Sequence, residues 1–448
     1  MNNPLVEYFR CPEHLARFEP SGPLSGEMGF FQFAPDTICF GQYSGGKPAE
    51  RRSDVLPDAF QAASFDQDIV RLPFDLPQVV DNLRLERYCA PSDQPGNGVA
   101  KTPFSAKLYY LFRPALGVFI RRYFQRIHLR GWDRIAFPHW PVELSVDSLL
   151  EGVLELSLKG SGAKELPFIW FWPAGAQSCV MMTHDVEGPA GRDFCRQLMD
   201  LDQSYNVKSA FQIVPETRYE NTDSLFEDIR KRGFEVNVHD LNHDGMLFKD
   251  KQQFSQRAER INSYAKKFLT RGFRSGSMYR RQDWYDAFDI SYDMSVPNVA
   301  HLEPQRGGCC TVMPYFVGSI LELPLTTIQD YSLFHILGDY SIDVWKQQIK
   351  IIRERNGLIS FIVHPDYIIE KRARSVYVDL LKYIASIRET ENLWIALPVE
   401  IDKWWRNRSQ MKLVQVGPDW KIEGPDADRA RLAYAYLQDG RVKYRLAD

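Results

Sequence analysis

From residue 166 to 408, short strand-like runs alternate with longer helical ones, and this alternation narrows most sharply the folds open to the chain. Strands are predicted over 179–183, 209–214, 234–238, 272–275, 320–323, 358–363 and 393–397. Helices are predicted between them, over 192–205, 222–232, 254–269, 341–355 and 372–388. A strand, a helix and a further strand at this spacing make a βα unit, whose strands run parallel. Seven such strands predict an α/β fold, a distorted (β/α)7-type barrel. In barrels of this kind the chemistry gathers at the carboxyl ends of the strands.

With 448 residues the chain exceeds the size at which one hydrophobic core stops growing, so the flanks are expected to form units of their own. We read an N-terminal α+β domain over 1–165, the barrel over 166–408, and a small C-terminal β element, a hairpin cap, over 409–448. The N-terminal region has a Pro/Gly-rich loop at 91–103 and a helical stretch at 105–128 interrupted by Pro114. That stretch sets Arg113, Arg121, Arg122 and Arg126, with Arg130 just beyond, among apolar residues. It reads as an ordinary amphipathic helix with a solvated basic face, or as a peripheral contact with an anionic membrane surface. Near the other end, Asp439-Gly440 between alternating runs signals a hairpin. Trp404, Trp405 and Trp420 read as seals of a domain interface, with a sugar-stacking platform as the alternative.

Composition excludes several classes of function. The 55 basic and 58 acidic residues give a net charge of −3, which argues against nucleic acid as a partner. The start, Met1-Asn2-Asn3-Pro4-Leu5, has neither a basic segment nor an apolar one, and no integral membrane segment is expected. Seven cysteines without CxxC spacing fit reduced thiols, and the expected location is cytoplasmic.

Chemistry-bearing residues fall at the ends of the predicted strands. The apolar run at 178–182 leads into Thr183-His184-Asp185-Val186-Glu187, and the run at 234–238 ends in His239-Asp240-Leu241-Asn242-His243. Two imidazoles at i and i+4 are expected on one face of a helical turn, where they suit a divalent ion that also takes carboxylate oxygen. A lone pair of spaced histidines more often satisfies hydrogen bonds or caps a turn. Their place at a strand end, with Asp185 and Glu187 at another, favours a metal-assisted hydrolase. Arg274, at the end of the next strand, is suited to holding a carboxylate ionised and oriented. His364, in Ile362-Val363-His364-Pro365-Asp366, is suited to protonating a leaving amine.

The order of these motifs resembles that of the polysaccharide deacetylases, carbohydrate esterase family four, over roughly residues 166–400. The carriers are Thr183 to Glu187, His239 to His243, Phe273-Arg274-Ser275-Gly276, Glu322-Leu323-Pro324-Leu325 and Ile362-Val363-His364-Pro365. The resemblance implies that Asp185 is the general base, that Arg274 orients it and that His364 is the general acid. It implies that His239 and His243 bind a divalent metal ion, zinc being the expected one. The common first motif places the third ligand where this chain has Val186. An Asp-Val-Glu form of that motif makes Glu187 the ligand, the alternative being a group behind the ligands. Asp240 stands where Ser or Thr is usual, and His184 is expected to lie outside the coordination shell.

The function so implied is metal-dependent removal of an N-acetyl group from an N-acetylated sugar or glycan precursor in surface polysaccharide biosynthesis. Two alternatives stand beside it. One is a hydrolase of the same fold acting on an O-acetyl ester or a non-sugar amide, and the other is a catalytically silent glycan-binding protein.

Overall fold

The computed structural model of the protein describes residues 3–34, 36–52, 54–66, 69–89 and 129–447. The Pro/Gly-rich loop and the arginine-bearing stretch at 105–128 therefore lie outside the described residues. The chain divides into two compact units. One comprises Met1–Tyr88, Glu143–Gln177 and Lys403–Asp448, and the other comprises Cys89–Val142 and Ser178–Asp402.

The second unit is built on a nine-stranded sheet. Its strands are β1 (Ser178–Val186), β2 (Ser209–Ile213), β3 (Glu235–His239), β4 (Gly272–Arg274), β5 (Tyr292–Asp293), β6 (Tyr315–Val317), β7 (Ile320–Glu322), β8 (Leu358–Ile362) and β9 (Leu393–Ile395). They lie in the order β6-β7-β5-β4-β3-β2-β1-β8, and β9 pairs with the amino-terminal half of β1. Every pairing is parallel except that of β6 with β7. The outer strands β6 and β8 are not paired with each other, so the sheet curls into an open half barrel. All seven expected strands form. The two additions, β5 and β6, span two and three residues.

Five helices come where the pattern placed them, α1 (Pro189–Ser204), α2 (Asp223–Lys231), α3 (Lys251–Lys267), α4 (Asp343–Arg353) and α6 (Lys371–Arg388), and the single turn α5 (Pro365–Ile368) is an addition to them. Their apolar residues recur at helical spacing, as Phe194, Cys195, Leu198 and Met199 do on the buried side of α1. Covered on both faces, β1 is buried at all nine positions, which is why its first part, Cys179 to Met182, reads as an unbroken apolar run. This central strand ends at the candidate site.

In the first unit, Glu165–Ile169 pairs with Leu432–Gln438, which pairs in turn with Arg441–Leu446. Asp439 and Gly440 join those last two strands with φ of 51° and 73°, the left-handed pair that a two-residue hairpin turn requires. Trp404 donates from Nε1 to the Phe171 carbonyl at 2.8 Å, and the rings of Trp405 and Trp172 lie 5.4 Å apart. Both Trp404 and Trp405 are buried, so neither offers a face to a sugar. Trp420 stacks on His14. None of the seven cysteines is in a disulfide, and no helix among the described residues is long and apolar enough to cross a membrane.

Candidate active site

Parallel pairing sets the carboxyl ends of β1, β3, β4 and β8 on one rim, and the register brings particular side chains together. Arg274 stands opposite His239 across β4 and β3, and Thr183 stands opposite Ile362 across β1 and β8. Alternate residues of a strand share a face, so Thr183 and Asp185 point the same way. Arg274 spans both, donating from Nη1 to Thr183 Oγ1 at 2.7 Å and to Asp185 Oδ1 at 2.6 Å, while its Nε donates to the Met294 carbonyl. His184 points to the opposite face. Its Nε2 lies 3.0 Å from Asp202 Oδ2 on α1 and its Nδ1 3.0 Å from the Val363 carbonyl, away from the site.

The two spaced histidines meet by a different route from the one expected. After His239 the chain makes no helical turn; it bends, with Asp240 and His243 both at a left-handed φ of 55°. The bend brings the two rings to a centroid separation of 4.8 Å. Short polar side chains stabilise it: Asn242 Oδ1 accepts from Asp244 N, and Asp244 Oδ1 accepts from Met246 N. Arg218, from the segment after β2, braces the bend by donating to the carbonyls of Asn242 and His243. Asp240 is fully buried; its Oδ1 accepts from the backbone N–H of Leu241, and its Oδ2 has no hydrogen bond.

Glu187, just past β1, completes the group. Its Oε1 lies 2.8 Å from His243 Nε2 and 3.6 Å from His364 Nε2, and its side chain keeps 26% exposure, open enough for a small molecule to reach it. One donor atom from each of Glu187, His239 and His243 fits within a mutual distance of 4.8 Å. His239 is set up as a ligand. Its Nδ1 faces the Arg274 carbonyl at 3.2 Å, which places the ring proton on Nδ1 and leaves the buried Nε2 with a lone pair and no hydrogen bond. Two imidazole nitrogens and one carboxylate oxygen are the donor set that zinc takes at hydrolytic sites, and the residues therefore fit a divalent ion.

Electrostatics agree with the geometry. Burial alone would raise the Asp185 carboxyl, but Arg274, with His239 and His364, outweighs it and holds the group ionised below its usual range. Glu187 is likewise held well below its usual range, desolvation being outweighed by His243 and His364. Burial drives His239 down to about 4, against partial opposition from Asp185, so its ring is neutral near pH 7. His364 moves the other way. Burial would lower it, yet Asp330 and Glu187 raise it well above its ordinary value and favour the imidazolium.

The structure thus gathers Asp185, Glu187, His239, His243, Arg274 and His364 on one rim. It also supplies a residue that the sequence reading missed. Asp330, fully buried between β7 and α4, accepts from the backbone N–H of His364 at 2.8 Å and faces His364 Nδ1 at 2.6 Å. Asp366, the carboxylate next to His364 in sequence, turns away to other partners.

An α/β half barrel with ionised carboxylates, a neutral imidazole and an imidazolium converging at its strand ends belongs to the class of hydrolases. Residues 174–279 match the polysaccharide deacetylase family model. That match covers the candidate site's Asp185, Glu187, His239, His243 and Arg274, and over it the chain is similar to polysaccharide deacetylase catalytic domains. Solved structures that it resembles include a Mycobacterium smegmatis protein assigned as a polysaccharide deacetylase, at 16% identity and a TM-score of 0.45, over 56% of this chain and 98% of that one. Puue allantoinase aligns at 12% identity and a TM-score of 0.43, over 52% of this chain and 92% of the other. No curated protein matches the chain.

Proposed function

We propose that the protein is a zinc-dependent N-deacetylase that releases acetate from an N-acetylated sugar or glycan precursor, in the biosynthesis of a surface polysaccharide. The observation that carries this reading is the lone pair of His239 Nε2, buried and without a hydrogen bond, in reach of Glu187 and His243 and beside the Asp185–Arg274 ion pair. A zinc ion there would act as a Lewis acid on the acyl carbonyl and lower the pKa of water.

The remaining chemistry belongs to the chain. Asp185, kept ionised by Arg274, accepts the proton of the attacking water. Arg274 cannot follow a moving proton, because Thr183 Oγ1 and the Met294 carbonyl fix its guanidinium. His364, charged by virtue of Asp330, delivers a proton from Nε2 to the departing nitrogen. An amine leaves poorly without that proton, whereas an alkoxide needs it less, so the raised His364 supports an amide over an ester substrate.

Acetate release by Asp185→Asn tests the reading. We expect turnover to fall by about 10²-fold or more with zinc content unchanged. Retained turnover would remove Asp185 from the role of base. Comparing acetate release from N-acetyl and O-acetyl sugars separates the amidase from an esterase.

A further inference from the structure

We propose that Asp366 is a positioning residue for the metal centre, fixing the backbone that presents Glu187; this rests on the reading of Glu187 as a ligand. Glu187 sits on a two-residue link, Glu187-Gly188, between the end of β1 and the first turn of α1. Such a link has free backbone N–H groups and would swing unless held. Asp366 holds it from a distant part of the chain. Its Oδ2 accepts from the Glu187 N–H at 3.2 Å, and its Oδ1 accepts from the Gly191 N–H in the first turn of α1 at 3.1 Å. One carboxylate thus caps α1 and pins the residue before it.

The link is gripped on its other side as well. The Tyr219 hydroxyl donates to the Val186 carbonyl at 2.7 Å and accepts from the Val214 N–H at 2.9 Å, so the single peptide joining Val186 to Glu187 is held at its carbonyl by Tyr219 and at its N–H by Asp366. The fit around Asp366 is tight. A Cβ at Gly191 would stand 2.0 Å from Asp366 Oδ2, and one at Gly188 would stand 2.7 Å from Oδ1, so a side chain at either position would displace the carboxylate from where it sits. Neither glycine is at a positive φ, which leaves this approach as their explanation.

Asp366 also follows His364 and Pro365 at the start of α5, so a single turn carries the imidazole on one side and the clamp for Glu187 on the other. The separation of Glu187 from His364 is thereby set by short covalent and hydrogen-bonded links. Partners that orient a ligand without touching the ion typically contribute about 10- to 100-fold in metal affinity.

The test is zinc affinity by competition with a chromophoric chelator, on Asp366→Asn, Gly191→Ala and Glu187→Gln, with the far-UV spectrum and melting of each zinc-free protein checked. We expect Asp366→Asn, whose amide can accept from only one of the two N–H groups, to bind zinc about tenfold more weakly and to recover near wild-type kcat when zinc is saturating. Gly191→Ala keeps the charge but displaces the carboxylate, and is expected to weaken zinc by a similar factor; it also serves if Asp366→Asn does not fold. Zinc affinity within twofold of wild type in the folded variants, with Glu187→Gln weakened, would overturn the positioning role alone. Unchanged affinity in Glu187→Gln would overturn the ligand reading beneath it.

Discussion

Asp330 Oδ1 and His364 Nδ1 lie 2.6 Å apart, both residues buried, and the same carboxylate accepts the backbone N–H of His364. The pair orients the imidazole so that Nε2 faces the rim and keeps it charged. Asp330→Asn removes the charge and keeps the shape. A charge that raises the imidazole is lost, so His364 gives up its proton at lower pH, and the alkaline limb of the kcat/KM profile moves down by about one unit or more. A pH–rate profile with its limb unmoved would show that Asp330 does not govern the acid.

Arg274 is buried against the buried Asp185, and an ion pair so placed is sensitive to the loss of one partner. Arg274→Met leaves a carboxylate uncompensated, with an expected cost of about 3–5 kcal/mol in denaturant unfolding at neutral pH. Because the folded-state pKa of Asp185 is depressed, the stabilisation is present above the unfolded value and fades as pH falls through the folded one. The difference between variant and wild type should therefore shrink toward acid. An equal difference at pH 7 and at about pH 3 would contradict this pairing.

Asp202 accepts from the Ser209 hydroxyl and the Tyr377 hydroxyl and faces His184 Nε2, all within the buried core. Asp202→Ala is expected to cost about 3 kcal/mol or more by leaving three polar groups without a partner. The network lies on the far side of β1 from the rim, so kcat below the melting transition should stay within about twofold. A large loss of kcat in a fully folded variant would place His184 in the chemistry.

The barrel was legible because its signal is repeated: a parallel sheet covered on both faces needs apolar runs such as 178–182, and helices need apolar residues at helical spacing. The rim residues were legible because strand ends announce them. The bend joining His239 and His243 was misread as helical, although Asp240, Asn242, Asp244 and Gly245 are turn formers that favour left-handed or side-chain-bonded backbone. Asp330 lies eight residues beyond the end of β7 with no spacing to link it to His364; only the fold joins them. The two glycines around Asp366 were ordinary in sequence, since their purpose is a contact with a residue far along the chain.

The central claim is that acetate release depends on an ion held by Glu187, His239 and His243. Acetate liberated from an N-acetylated oligosaccharide by chelator-treated protein, before and after stoichiometric zinc, tests it most directly. The account predicts negligible release before zinc, restoration after it, and no restoration in His239→Gln. Release that persists without metal, or that zinc restores equally in His239→Gln, would contradict it.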